Sequence, residues 1–213
     1  MFFQDNVLRQ SLKNVYFITG TPCGGKSTVS KLLSRAKGIP LYNVDDAFPR
    51  HQSLSHRESQ PAMNQTFPGA DDFFGRSPEQ YRDWLLQNTR EQLDFVLLDL
   101  IRLSADGPVL CDGHLTLAQA ERLTAPERIV FLLKEPSNLA EEYCSRPDHQ
   151  DFSQFLHSAS NPEQARRACS EALRSLNLPE YRAVKSSRYF WLERDDARSA
   201  EKTAALVAAH FGF

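Results

Sequence analysis

The chain has 213 residues, with 25 Lys and Arg against 27 Asp and Glu and a formal net charge of −2. This length supports one α/β domain with a sizeable core, and the balanced charge offers no basic field for nucleic acid or an anionic membrane. We expect neither a signal peptide nor a membrane span, and four scattered cysteines without a C-x-x-C pair favour a cytoplasmic location.

The first predicted strand, 15–19, leads into a stretch that fits the phosphate-loop pattern G-x-x-x-x-G-K-S/T in full. Backbone N–H groups of such a loop surround a polyphosphate, and the following helix points its positive end at the same anion. No guanine-recognition motif of the type Asn/Thr-Lys-x-Asp occurs, so we predict ATP as the nucleotide. The predicted nucleotide-binding residues are Gly20, Thr21, Pro22, Cys23, Gly24, Gly25, Lys26, Ser27 and Thr28. Lys26 would also act in catalysis on the β- and γ-phosphates, and the Ser27 hydroxyl would ligate Mg²⁺.

The second predicted strand, 40–44, ends at two carboxylates, Asp45 and Asp46. In a parallel sheet the carboxyl end of each strand lies on the ligand side. One carboxylate could therefore accept a proton from a substrate hydroxyl or order the waters of Mg²⁺. Because adjacent side chains of an extended chain point in opposite directions, we expect one of the two to face the phosphates. The sequence does not choose between them, and the other would cap the following segment.

The next stretch, about 46–77, is rich in Pro, His, Ser and Gln and has weak periodicity. Long irregular segments inside compact domains are often functional, so we predict a substrate-side insertion here. Arg50, Arg57 and Arg76 lie in it among phenylalanines, and arginine beside an aromatic ring suits a planar or anionic substrate. We predict these three arginines as substrate-binding residues, with burial against the core as the alternative for the segment.

A helix is predicted from Pro78 to about residue 104, since Ser77, Pro78 and Gln80 form a start signal. The third predicted strand, 108–111, then delivers Asp112. If this strand neighbours the phosphate-loop strand, Asp112 lies near Ser27 and holds a Mg²⁺-bound water. The alternative is an aspartate that only ends the strand and caps a turn.

The remaining predicted elements are a strand at 128–133, a helix at 165–176, a strand at 188–193 and a helix at 196–209. Between the first two lies a lid-like segment, about 145–161, that carries Arg146. Phosphoryl transfer needs a cation for the charge that develops on the γ-phosphate, and a closing lid is a suitable place for one. We predict Arg146 as this catalytic cation; the helical pair Arg166 and Arg167 is the alternative.

Strands that alternate with helices predict a three-layer α/β domain. With this pattern, the chain resembles the nucleoside-monophosphate-kinase-like branch of P-loop kinases, which includes shikimate and gluconate kinases and antibiotic phosphotransferases. The resemblance rests on Gly20–Ser27, on Asp45-Asp46 and on 110–114, which is similar to the Asp-Gly-Phe-Pro-Arg segment of adenylate kinases until His114 replaces the phenylalanine. It implies a P-loop NTPase fold of five parallel strands in the order 2-3-1-4-5, with residues 194–196 beside the adenine.

We therefore expect a single kinase-like domain over 1–213 that uses ATP and Mg²⁺ to phosphorylate a small molecule. The aspartate pair, and the absence of the adenylate-kinase arginine after Gly113, favour a hydroxyl acceptor over a nucleotide phosphate. A nucleoside monophosphate kinase is one alternative. A nucleotide-binding regulatory module with little turnover is another, because the same loop serves both classes. We expect no nucleic acid or membrane partner.

Overall fold

The computed structural model of the chain describes residues 4–145 and 150–213. Five parallel strands form one sheet in the order β2-β3-β1-β4-β5. The strands are β1 Val15–Gly20, β2 Leu41–Asn43, β3 Val109–Asp112, β4 Ile129–Leu133 and β5 Trp191–Glu193. Helices cover both faces, which confirms the predicted three-layer α/β fold and its strand order.

The described helices are α1 Asp5–Ser11, α2 Lys26–Lys37, α3 Val44–Leu54, α4 Ala70–Phe74, α5 Pro78–Leu103, α6 Leu117–Leu123, α7 Leu139–Ser145, α8 Gln150–His157, α9 Pro162–Lys185 and α10 Ala200–Phe211. Short 3₁₀ turns precede β4 and α7. Across the described residues, no helix combines the length and the apolar character needed to cross a bilayer.

The central strands are buried on both faces, as their continuous apolar sequence predicts. Successive side chains alternate between faces, so Phe17 joins one apolar layer, with Leu100 of α5, and Ile18 joins the other, with Leu33 of α2. The strand register then aligns the carboxyl ends: Ile18 and Asn43 both pair with Asp112. The end of the phosphate-loop strand therefore lies beside the two positions that carry carboxylates.

The segment 46–77 is more regular than its composition predicts. Its first residues belong to α3, and α4 follows later in the segment. Helix α3 begins directly after β2 because the Asn43 side-chain oxygen accepts hydrogen bonds from the backbone N–H groups of Asp45 at 2.9 Å and Asp46 at 3.0 Å. The expectation of an extended backbone at Asp45 and Asp46 was wrong, because both residues lie in the first helical turn.

A lobe of helices covers the carboxyl end of the sheet. Its core contains Phe74 of α4, Leu156 of α8 and Leu173 of α9. Helix α9 is longer than the predicted 165–176 and continues through Pro179, because buried residues recur along one face as far as Val184. Of the predicted lid-like segment, the described part contains α8, and its role as a lid stays a prediction.

Candidate active site

The phosphate loop is held in its turn by glycines that no other residue can replace without strain. Gly20 and Gly25 have φ angles of 126° and 93°, in the region that favours glycine. A Cβ atom on Gly20 or Gly24 would lie 2.0 Å or 2.3 Å from the Leu132 carbonyl oxygen. The loop therefore packs its backbone directly against the end of β4.

A side chain adds a second attachment of the loop to β4. The Thr21 hydroxyl donates to the Lys134 carbonyl at 3.0 Å and accepts from the Lys134 N–H at 2.6 Å. Lys26, the first residue of α2, lies over the same loop, where its Nζ donates to the carbonyls of Gly20 at 3.3 Å and Thr21 at 2.9 Å. The ammonium group is thus placed within the loop, where an anion would sit.

Asp112 and Ser27 lie together, as the sequence predicts for adjacent strands. Asp112 is 3% exposed and interacts with the Ser27 hydroxyl, while Asn43 donates to its Oδ2 at 3.3 Å. Burial raises the pKa of the Asp112 carboxyl, and the hydrogen bond with Ser27 and the charge of Lys26 offset part of that rise. A cation bound to this carboxylate would offset its desolvation further.

The oxygen atoms of Ser27 and Asp112 fit Mg²⁺, which prefers hard oxygen ligands. Residues 4–145 and 150–213 contain no group of three or more His, Cys, Asp or Glu side chains that could hold a metal by themselves. Mg²⁺ commonly takes one or two protein ligands and completes its shell with phosphates and water.

A cavity opens on each side of the phosphate loop. The β5-side cavity, about 520 Å³, is lined by Cys23, Gly24, Gly25, Lys26, Ser27, Thr28, Val29, Leu132, Leu192, Glu193, Arg194, Asp195, Asp196, Arg198, Ala200 and Thr203. The β2-side cavity, about 590 Å³, is lined by Gly20, Pro22, Lys26, Ser27, Lys31, Asn43, Asp45, Asp46, Tyr81, Leu85, Leu86, Thr89, Asp112, Gly113, His114, Tyr143, Phe152, Leu173, Leu176 and Asn177. Lys26 and Ser27 belong to both linings, so the cavities meet at these two residues.

The β5-side cavity contains the predicted segment 194–196. The Arg194 Nη1 donates to the Cys23 carbonyl at 3.1 Å, which ties this segment to the phosphate loop. Arg194 also pairs with Glu142 of α7 at 3.6 Å, and Glu142 pairs with Lys134 at 3.0 Å. The wall of this cavity is therefore connected to α7 through one carboxylate.

The β2-side cavity brings Asp45 and Asp46 to the same space as Lys26 and Ser27. Neighbouring residues in a helix are rotated by about 100°, so two consecutive side chains in a first turn can border one cavity. Asp45 lies close enough to Asp112 for its charge to raise the pKa of that carboxyl. The aspartate pair thus lies beside the candidate metal ligands, although by helix geometry and not by strand alternation.

His114 and Asn177 are cavity residues that sequence reasoning did not select as functional. His114 follows Gly113, whose Cβ would lie 2.4 Å from a methyl group of Val44. Burial and the charge of Lys26 lower the pKa of His114 to about 4. A hydrogen bond with the Gly20 backbone has the opposite, smaller effect on this pKa. His114 is therefore uncharged at neutral pH. The sequence feature that could have identified His114 is its departure from the adenylate-kinase segment. Asn177 lies in a long amphipathic helix, and no comparable sequence feature identifies it.

Two of the predicted arginines, Arg50 and Arg57, line neither cavity. Arg50 pairs with Asp99, which also accepts hydrogen bonds from the Tyr42 hydroxyl and the buried His51 ring, each at 2.9 Å. Arg57 is exposed and lines neither cavity. Arg146 falls outside the described residues.

Arg76 is enclosed by aromatic rings. Its guanidinium carbon lies 4.2–4.7 Å from the ring centres of Phe67, Phe73, Tyr81 and Trp84. The Nε donates to the Phe73 carbonyl at 2.9 Å, while Nη1 and Nη2 are buried without a hydrogen-bond partner among the described residues. The Tyr81 ring contacts Arg76 and also lines the β2-side cavity. Arg76 therefore lies behind the wall of this cavity.

Comparison with known proteins agrees with this architecture. A curated shikimate kinase from Aquifex aeolicus is 46% identical over 39 residues, which is 18% of this chain and 23% of that enzyme. A crystal structure of TT1252 from Thermus thermophilus matches with a TM-score of 0.54 at 18% identity, and the match covers 92% of this chain and 96% of that chain. A shikimate kinase from Acinetobacter baumannii in complex with shikimate matches with a TM-score of 0.46 at 22% identity, over 91% of this chain and 89% of that chain.

The family comparison covers more of the chain. The model of the AAA domain family matches residues 17–164, a range that contains the phosphate loop, the aspartate pair and Asp112. This range is more than half of the 213 residues. The chain therefore belongs to the AAA domain family, and its predicted resemblance to the P-loop kinase group is confirmed.

Proposed function

We propose that this protein transfers the γ-phosphoryl group of ATP, bound with Mg²⁺, to a hydroxyl group of a small molecule. The observation that carries the proposal is the meeting of the β5-side and β2-side cavities at Lys26 and Ser27. A nucleotide whose base occupies the first cavity would direct its γ-phosphate toward the second. Asp45 and Asp46 border only the second cavity, where an acceptor would bind.

At the donor end, the loop N–H groups and the start of α2 would hold the phosphates. Lys26 would exchange its bonds to the Gly20 and Thr21 carbonyls for bonds to the β- and γ-phosphates. Ser27 and Asp112 would hold Mg²⁺, which neutralises charge on the phosphate oxygens when it is bound. The segment 194–196 would border the adenine, in agreement with its place in the β5-side cavity.

At the acceptor end, an oxygen–phosphorus bond forms between the substrate hydroxyl and the γ-phosphorus. The bond from that phosphorus to the bridging oxygen breaks, and ADP leaves with the electron pair. The hydroxyl proton passes to Asp45 or Asp46. A nucleotide phosphate acceptor would instead require arginines, and the described lining of the β2-side cavity contains none. The similarity to a curated shikimate kinase also supports a small-molecule acceptor.

Lys26→Ala tests the donor half. It should lower the rate of ADP formation by about 100-fold or more, because a charge that stabilises the transferring group is lost. Circular dichroism should stay unchanged, since Lys26 begins α2 at the surface of the loop. Lys37→Ala is the matched control: it removes an exposed lysine from the last turn of the same helix and should leave the rate unchanged. A wild-type protein that binds no ATP–Mg²⁺ at millimolar nucleotide contradicts the proposal.

A further inference from the structure

The β2-side cavity is acidic beyond the phosphate loop. Apart from Lys26 and Asp112, its charged lining residues are Lys31, Asp45 and Asp46, so carboxylates exceed cations. No arginine of the described residues lines it. Among the described lining residues beyond the phosphate loop, an acceptor with its own carboxylate or phosphate would meet like charges on Asp45 and Asp46 and one cation, Lys31.

Asn177 supplies a second, independent feature of the cavity. Its side chain is buried, with the residue 2% exposed, and it lines the space. Its Nδ2 donates to the Leu173 carbonyl at 2.8 Å, and the described residues provide no donor for its Oδ1. An amide oxygen at a cavity wall can accept a hydrogen bond from a ligand that binds in the cavity. A hydroxyl or ammonium group of a ligand could therefore donate a hydrogen bond to the Asn177 Oδ1.

Part of the remaining wall is apolar. Leu85 and Leu86 of α5 face the cavity together with Leu173 and Leu176 of α9 and with Phe152 of α8. Apolar walls favour ligand carbon and penalise an ionised group that has no partner. This wall and the buried amide together select for a ligand that is apolar on one side and carries hydrogen-bond donors on the other.

We infer that the acceptor is an amphiphilic hydroxyl compound that is uncharged or cationic and carries no carboxylate or phosphate of its own. One hydroxyl meets Asp45 and Asp46, a second donor meets Asn177, and an apolar part lies against the leucines. This inference rests on the proposed function, and it narrows the acceptor within it.

Acceptors that share a skeleton and differ in charge test the inference. The full chain with ATP and Mg²⁺ is given benzyl glucoside, benzyl glucosaminide and benzyl glucuronide, and separately methyl shikimate and shikimate. The uncharged and cationic members should show kcat/KM values at least about tenfold above the acid of the same skeleton. A higher kcat/KM for the acids overturns the inference and leaves the kinase proposal intact. The same holds if the protein binds ATP–Mg²⁺ but transfers phosphate to none of the uncharged or cationic compounds. Loss of ATP–Mg²⁺ binding itself would instead contradict the kinase proposal.

A charge placed in the wall gives a matched test. Leu86 and Leu98 are both exposed leucines of α5, 41% and 63% exposed, but only Leu86 lines the β2-side cavity. Leu86→Arg should move the ratio of kcat/KM values about tenfold toward the acids, whereas Leu98→Arg should leave it unchanged. Asn177→Leu should raise the KM of the acceptor and leave the KM of ATP unchanged. An unaltered ratio in Leu86→Arg places the acceptor elsewhere and overturns the inference.

Discussion

The phosphate loop and the β2-side cavity share Gly20, Pro22, Lys26 and Ser27 but are built in different ways. The loop is defined by backbone conformation, with glycines pressed against the end of β4 and a threonine bonded to Lys134. The β2-side cavity is defined by side chains from helices that are distant in sequence, chiefly α3, α5 and α9. Changes in the loop should therefore affect binding of any nucleotide, whereas changes in the cavity wall should affect one partner only.

The largest effect is expected from Gly20→Ala. The added Cβ would lie 2.0 Å from the Leu132 carbonyl oxygen at a φ of 126°, so the loop must move away from β4. We expect loss of ATP binding and a decrease of about 2–4 kcal/mol in the free energy of unfolding. Denaturant titration and nucleotide binding measure both. Gly107→Ala is the control, because a Cβ there meets nothing within 4 Å; equal losses in the two variants would contradict the close-packing argument.

A smaller and more selective effect is expected from Arg76→Ala. It removes a guanidinium that four aromatic rings enclose and so leaves a gap behind Tyr81. We expect a loss of about 1–3 kcal/mol in the free energy of unfolding and a higher KM for the acceptor, with ATP binding unchanged. Arg57→Ala, at an exposed position, should change none of these. A weaker affinity for ATP in Arg76→Ala would show that the two cavities are not independent.

The smallest effect is a pH dependence that His114 introduces. Its pKa of about 4 in the folded chain lies below the ordinary value of 6.5, so the unfolded chain takes up the proton first. The contribution of His114 to stability is complete above pH 6.5 and is lost as the pH falls toward 4. His114→Asn should flatten the stability profile in this window, as measured by denaturant midpoints at several pH values. His56→Asn, an exposed histidine, should leave the profile unchanged.

Much of the fold followed from the sequence because it depends on local pattern. The strands are apolar runs, the phosphate loop is a fixed arrangement of glycines, and Ser77 with Gln80 forms the expected capping box of α5. The order of strands came from the family resemblance. These features involve residues that are close in sequence or a topology shared by a whole group.

The cavity wall could not be predicted in this way. Asn177 lines the cavity because α9 packs along α5, and no local sequence pattern predicts this position. Arg76 was predicted to contact the substrate because phenylalanines lie near it in the sequence. In the structure, the rings of Phe67 and Phe73 pack against its guanidinium group. The helical turn at Asp45 depends on the Asn43 cap, a signal that was present in the sequence but was outweighed by the preceding strand. The assignments of Lys26, Asp45 and Asp46 to catalysis, of Ser27 and Asp112 to Mg²⁺ and of the loop residues to the nucleotide stay predictions.

The junction at Lys26 and Ser27 has a consequence for how such a protein can change over evolution. The two linings have no other residue in common among the described positions. Under the proposed function, substitutions at Leu85, Leu86 or Leu176 would therefore alter acceptor binding and leave the nucleotide site unchanged. A duplicated gene could therefore acquire a new substrate through a few exchanges on α5 and α9 while its energy source is preserved. The same separation makes this wall the natural starting point for engineering a kinase toward a chosen alcohol.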